Sequence, residues 1–160
     1  QAGDAIVGLP SSGVHSNGYS LVRKLVADLD WSEEHGLGAP LGEVLLRPTR
    51  IYVRDLARLR SECEVRGLVH ITGGGFPGNI PRVLPAGLGA HLDAGSWPEL
   101  PIFRLLRELG DLSDDDMHRT FNNGLGMVAV VPAEQAAAAA ACVGGHVVGR
   151  IVEGEGVVVA

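Results

Sequence analysis

Two apolar stretches in this chain each run straight into a polar, glycine-bearing loop and then into a helical pattern. That recurrence requires a sheet whose strand ends carry the loops. The first begins with Ala5-Ile6-Val7-Gly8-Leu9, a buried strand by its unbroken apolar run, and passes through Pro10-Ser11-Ser12-Gly13-Val14-His15-Ser16-Asn17-Gly18. Beyond it Leu21, Val22, Leu25 and Leu29 recur at helical spacing. The second runs from Leu68-Val69-His70-Ile71 through Thr72-Gly73-Gly74-Gly75-Phe76-Pro77-Gly78-Asn79 into a short helix. Backbone N–H groups and the positive dipole end at such strand-to-helix junctions suit a phosphate. Three consecutive glycines cost conformational entropy, which points to unusual dihedrals or a close backbone approach. Neither loop has the Gly-Lys-Ser/Thr of a P-loop or the spacing of a dinucleotide fingerprint. The first loop also has a plain structural reading: Asn17-Gly18 is a turn signal, and Ser16 or Asn17 could cap the following helix.

The rest of the chain bounds the class. Its 160 residues fit one domain with a real core, and 46% hydrophobic against 4% aromatic residues means that aliphatic side chains fill the interior. A formal charge of −6, with no basic stripe interleaved with aromatics, argues against a nucleic-acid partner. Cys63 and Cys142 are isolated, without zinc spacing, and read as reduced thiols of a cytoplasmic protein. No apolar run reaches bilayer length, so no membrane role is expected. The chain opens on Gln1 with a strand close behind, which reads as an excised domain or a processed fragment.

Along the chain, Asp30 to Leu41 reads as a connecting loop. Leu46-Arg47-Pro48 leads into a helix through Val53, Leu56, Leu59 and Cys63. Its Arg54, Arg58 and Arg60 read as a solvated face. Val65 to Ile71 and Leu88 to Asp93 read as strands, and Pro101 opens a helix whose stripe is Ile102, Leu105, Leu106 and Leu109. Ser113 with Asp116 is a capping pattern that accounts for the Asp114-Asp115-Asp116 run without a metal. Leu125 to Val131 is the clearest buried strand, a helix opens at Pro132 or Ala133, and Val147 to Val152 with Val157 to Val159 form a last pair. Alternating helices and strands with hairpin-like joins at the end predict an α+β fold in α/β/α layers. The sheet is mixed, with partial ferredoxin-like topology.

Taken with Pro48-Thr49-Arg50-Ile51-Tyr52-Val53, Gly95-Ser96-Trp97-Pro98 and Thr120-Phe121-Asn122-Asn123-Gly124-Leu125-Gly126-Met127, the two loops resemble a known family over essentially the whole chain. It is the C-terminal domain of phosphoribosylformylglycinamidine cyclo-ligase, also called aminoimidazole ribonucleotide synthetase. Formylglycinamidine ribonucleotide synthetase, selenophosphate synthetase, thiamine-monophosphate kinase and a hydrogenase maturation factor share the architecture. The resemblance implies ATP-dependent closure of formylglycinamidine ribonucleotide to 5-aminoimidazole ribonucleotide in a homodimer. ATP and Mg²⁺ would bind mainly to a preceding N-terminal domain, and residues 1–160 would be the C-terminal substrate- and phosphate-loop domain.

On that footing Ser11, Ser12, Gly13, His15, Ser16 and Asn17 form one wall of the site, and Thr72, Gly73, Gly74, Gly75 and Asn79 the other. His15 is the acid/base candidate or a simple donor. His70 reads as a core or rim histidine, and Arg50 lies in a family-like segment. Asn122 and Asn123 are either a third loop of the site or turn residues. No role falls to His35, His91, His118 or His146, and no metal ligands are assigned. A sister enzyme of the superfamily and a non-catalytic binding or assembly domain are the alternatives.

Overall fold

Alternation along β1 (Ala5–Pro10) decides the centre of the molecule. Ala5, Val7 and Leu9 enter one apolar cluster and Ile6 another, so this strand is covered on both faces. The computed structural model describes residues 1–160. Its sheet has the order β2-β4-β1-β5-β3-β6, with β2 Gly67–His70, β3 Leu88–Leu92, β4 Leu125–Val131, β5 His146–Glu153 and β6 Val157–Val159. All pairings are antiparallel except β3 with β6, so the sheet is mixed as expected.

Helices cover both faces. On one, Leu59 of α3 (Val53–Glu62) packs with Ala139, Ala140 and Val143 of α7 (Ala136–Val143) against Val7, Ala129 and Val131. The alanine run of α7 lets it lie close to the strands. The other face is closed by Phe76 of α4 (Gly75–Asn79) and by Ile80 in the 3-10 turn Ile80–Val83, over Ile6, Val128 and Val148. A third core lies among helices alone. It joins α1 (Tyr19–Leu25), α2 (Leu41–Leu45), α5 (Pro101–Gly110) and α6 (Asp114–Thr120) through Val22, Leu41, Phe103, Leu106, Met117 and Phe121. Phe103 and Phe121 have no exposed surface, and each such burial stabilises the fold by about 1.5–3 kcal/mol. Ser113 caps α6 in a full capping box with Asp116. No helix is long and apolar enough to cross a membrane.

Three expectations are corrected. The last two strands are not a pair: β3 lies between β5 and β6, and the connector Gly154–Gly156 steps over the start of β3. Bonds from the Gly154 N–H to Gly87 O (3.0 Å) and from the Ala90 N–H to Gly156 O (2.9 Å) hold that step. Sequence proximity favours a hairpin, but the edge of β3 was free to take the last strand. Helix α1 stops at Leu25, short of Leu29, although Leu29 still packs on the helical core. The five-residue α2, too short to show a period, begins where a loop was expected to end.

The topology fixes where the two loops meet. Strands β1 and β2 both run antiparallel to β4, which lies between them, so they point the same way, about 10 Å apart. Their loops therefore leave the sheet at one edge, on either side of the start of β4.

Candidate active site at the glycine loops

The start of β4 stitches the two loops together. Asn122, with no exposed surface, accepts from the Ser11 hydroxyl (2.9 Å) and from the Gly124 N–H (2.9 Å), and donates to Gly13 O (2.9 Å). The Ser11 N–H reaches Gly124 O at 2.8 Å. The amide of Asn17 donates across to Ile71 O (3.3 Å), the last residue before the second loop. Asn79 gathers that loop, donating to Gly75 O (2.7 Å) and Thr72 O (3.2 Å) and accepting from the Thr72 hydroxyl (3.0 Å). Ser12 donates its hydroxyl to Pro48 O (2.7 Å). The side chains of Ser12, Asn17 and Asn79 thus bond backbone carbonyls directly, and those of Ser11 and Thr72 brace Asn122 and Asn79.

What remains open to a ligand is smaller. Ser16 is exposed and its hydroxyl makes no bond within the chain; Gly73 and Gly74 are exposed, and their N–H groups are free. Gly13 is buried, with its carbonyl bonded to Asn122. Gly75 serves packing: with φ +55° and a Cβ position only 1.9 Å from His118 O, no other residue fits there. Helices α1 and α4 have seven and five residues, so their dipoles add little and the loops rely on individual donors.

His15 is the most unusual side chain of the site. It has φ 59°, in the left-handed region that few non-glycine residues adopt, and only 6% of it is exposed. Its Nε2 accepts the Ser12 N–H (3.1 Å), so the neutral ring carries its hydrogen on Nδ1, which is buried without a partner. Burial first, then His70 and Arg50, lowers its pKa to about 4. The ring is therefore neutral at pH 7, with its basic nitrogen occupied.

Tyr52 and His70 complete a ring cluster with His15, the three centroids lying 6.2–6.5 Å apart. The Tyr52 hydroxyl donates to Pro10 O at 2.9 Å, and burial pushes its pKa up to about 12. Arg50 lies 5.3 Å over the Tyr52 ring, donates to Pro10 O (3.1 Å) and pairs with Asp55 (2.8 Å). Gly126 makes room for the cluster: a Cβ there would lie 2.1 Å from the Tyr52 oxygen and 2.5 Å from His15 Cε1. His70 is exposed at the end of β2, on the rim of the two earlier readings. Tyr52 and Gly126 stand in family-like segments of the sequence that assign them no role; the pairing of β1 with β4 brings Gly126 beside His15, and Tyr52, just before α3, is held there by its bond to Pro10 O.

Asn123 is a turn residue, at φ 47°, donating to Met117 O (2.9 Å) and Phe121 O (3.0 Å). Trp97 donates its indole N–H to Asn123 O (2.8 Å), which joins the Gly95–Pro98 segment to the same strand start. The aspartates of α6 cap it or pair with Arg107 and Arg119, and no three His, Cys, Asp or Glu side chains converge as metal ligands.

A profile of the family described as AIR synthase related protein, C-terminal domain, matches residues 1–160. The chain belongs to this family. Among AIR synthase-related relatives, the phosphoribosylformylglycinamidine cyclo-ligase of a Geobacillus species is 50% identical over 167 residues, covering 98% of this chain and 48% of the relative. That of Brevibacillus brevis is 57% identical over 139 residues, covering 84% and 40%. The chain thus spans about half the length of the curated relatives it matches. Among solved structures, thiamine-monophosphate kinase from Stenotrophomonas maltophilia is 27% identical with a TM-score of 0.60, over 99% of this chain and 50% of that one. The hydrogenase maturation protein HypE of E. coli shares the fold at 20% identity and a TM-score of 0.65, over 100% and 47%. The fold is therefore shared with both solved structures, while the cyclo-ligases named here have about half of the matched sequence in common with this chain.

Proposed function

We propose that residues 1–160 are one C-terminal domain of an ATP-dependent cyclo-ligase that converts formylglycinamidine ribonucleotide to 5-aminoimidazole ribonucleotide in purine biosynthesis. The observation that carries this reading is the 50% identity to a named cyclo-ligase across 98% of the chain. In the reaction the formyl oxygen attacks the γ-phosphorus of ATP and ADP leaves. The amidine nitrogen then attacks the activated carbon, the oxygen departs with phosphate, and loss of a proton leaves the imidazole. Such chemistry asks for positioning and charge stabilisation more than for a protein nucleophile.

This chain offers those services and little else. The free N–H groups of Gly73 and Gly74 and the hydroxyl of Ser16 are donors for phosphoryl oxygens, held in place by Asn17, Asn79 and Asn122. A neutral His15, with Nε2 bonded to Ser12, serves as a donor and a fixed wall; its lowered pKa supports binding over proton abstraction. The acidic side chains here do not form a set that fits Mg²⁺. In this reading the metal and most of the ATP contacts belong to an N-terminal half, and the complete enzyme is a cytoplasmic homodimer.

The test is turnover of formylglycinamidine ribonucleotide and ATP by this chain mixed with the N-terminal half of the Geobacillus cyclo-ligase. Restored ring closure, absent with either half alone, is the expected result. Two folded and associated halves that phosphorylate thiamine monophosphate instead, or that close no ring, would refute it.

A further inference from the structure

Strand β6 forms one edge of the sheet, with β3 on one side and no strand on the other. The pairing with β3 is parallel, and alternate residues of β6 and its flanks make the bonds. Gly156 O accepts the Ala90 N–H (2.9 Å), the Ala160 N–H donates to Leu92 O (3.1 Å), and Ala160 O accepts the Ala94 N–H (2.8 Å). By that alternation Val158 also faces β3, while Val157 and Val159 turn their N–H and carbonyl groups outward, where no strand meets them. Edge strands usually carry a lysine, a proline or a bulge that blocks further pairing. Val157-Val158-Val159 has none of these, and Val158 is 55% exposed.

The open edge borders a cavity of about 660 Å³ between β6, the turn that follows β3 and the start of α6. Its floor is apolar: Val157, Val159 and Trp97 pack on the core of the sheet and remain half-buried. Trp97 meets Phe76 edge-on, with 5.9 Å between centroids, and holds its indole N–H on a backbone carbonyl, so the ring is fixed. The rim is acidic. Glu99, Asp114 and Asp115 line it against one arginine, Arg107, which pairs with both Glu99 (3.6 Å) and Asp114. Burial lowers the pKa of His118, so this side chain adds no charge to the rim at pH 7. Ser16, Gly73 and Gly74, the groups left open at the glycine loops, do not line this cavity.

We propose that the outer edge of β6 docks an extended basic peptide segment of a partner protein, which adds to the sheet as a further strand. Main-chain bonds to Val157 and Val159 supply the affinity, as in other cases of strand addition, and the cavity supplies the selectivity. Side chains on one face of the added strand alternate with those on the other, so an apolar residue reaches the valines and Trp97 while a lysine or arginine two residues away meets Glu99 and Asp115. A second copy of β6 would bring Glu155 to this acidic rim, so charge favours a basic strand over self-pairing. No reacting group of the cyclo-ligase chemistry enters the argument, and the inference stands apart from that reading.

The probe is acetyl-Lys-Thr-Val-Thr-Leu-Thr-Lys-amide, which carries its lysines and apolar residues on one face. It is titrated into the Trp31→Phe chain, where Trp97 is the remaining tryptophan and reports by fluorescence. A saturable change with half-saturation below about 1 mM is expected. Val159→Pro removes one outward N–H and leaves the bonds to β3, so it should fold and bind about tenfold more weakly. The same peptide N-methylated at its three central residues leaves the protein unaltered and should also bind about tenfold more weakly or worse. Glu99→Gln/Asp115→Asn should weaken binding about threefold, and Glu33→Gln/Glu34→Gln, which removes two acids outside the cavity, should not. No saturation by about 1 mM, equal binding of the N-methylated peptide, or equal weakening by the two double variants would each overturn the proposal. So would sedimentation showing a dimer of the chain that Val159→Pro dissociates. Peptide binding by a chain that restores no ring closure would sink the cyclo-ligase reading alone, and the converse would sink this one alone.

Discussion

Replacing Asn122 by alanine tests the claim that the glycine loops are held from the start of β4. The amide makes three hydrogen bonds in a fully buried position, to Ser11, Gly13 and Gly124. Truncation leaves a buried hydroxyl, a carbonyl and an N–H without their partner. At about 1 kcal/mol for each bond, and more where water cannot reach the orphaned group, the loss is about 3–4 kcal/mol. For a chain of this size 1 kcal/mol moves the midpoint by roughly 2–4 °C, so Tm should fall by about 6–16 °C. Circular dichroism melts and urea unfolding measure this directly. Asn17→Ala is the internal comparison: it breaks one long bond to Ile71 O and should cost about 1 kcal/mol. A drop below about 3 °C for Asn122→Ala, or a larger one for Asn17→Ala, would refute the latch and return Asn122 to the group of residues that await a ligand.

Gly75→Ala should prevent folding or lower Tm severely, because the new Cβ would meet the His118 carbonyl, whereas Gly73→Ala, with nothing within 4 Å of its Cβ, should melt like wild type; soluble yield and melts of the pair decide. Ser12→Ala and Thr72→Ala each lose one partly exposed bond, so each should shift Tm by no more than about 4 °C, while binding of formylglycinamidine ribonucleotide weakens if the loops hold substrate. Between pH 6.5 and 4 the unfolded chain takes up a proton at His15 that the folded chain refuses, so stability should fall as pH drops through that window. The slope from this group is at most about 1.4 kcal/mol per pH unit. Urea unfolding at pH 7, 6 and 5 should show the slope reduced in His15→Asn, a residue that tolerates the left-handed backbone; an unchanged slope would exclude His15 as its source.

Much of the fold was legible in local pattern. The unbroken apolar runs of β1 and β4, the stripe of α5 and the Ser113 cap each state their element within a few residues, because propensity and periodicity act at short range. The pairing of β6 with β3 was not legible, since a three-residue valine strand carries no mark of which edge it will join. The same division runs through the site. The sequence by itself determined that two strands end in glycine loops, which residues fill them, and that no acidic cluster accompanies them. Only the tertiary structure decided that both loops leave one edge of the sheet, with Asn122 spending its amide on their backbone. It also decided that His15 lies neutral above Gly126, between Tyr52 and His70. Desolvation and hydrogen-bond satisfaction depend on what surrounds a group in space, and here that surrounding comes from segments more than a hundred residues apart in the chain.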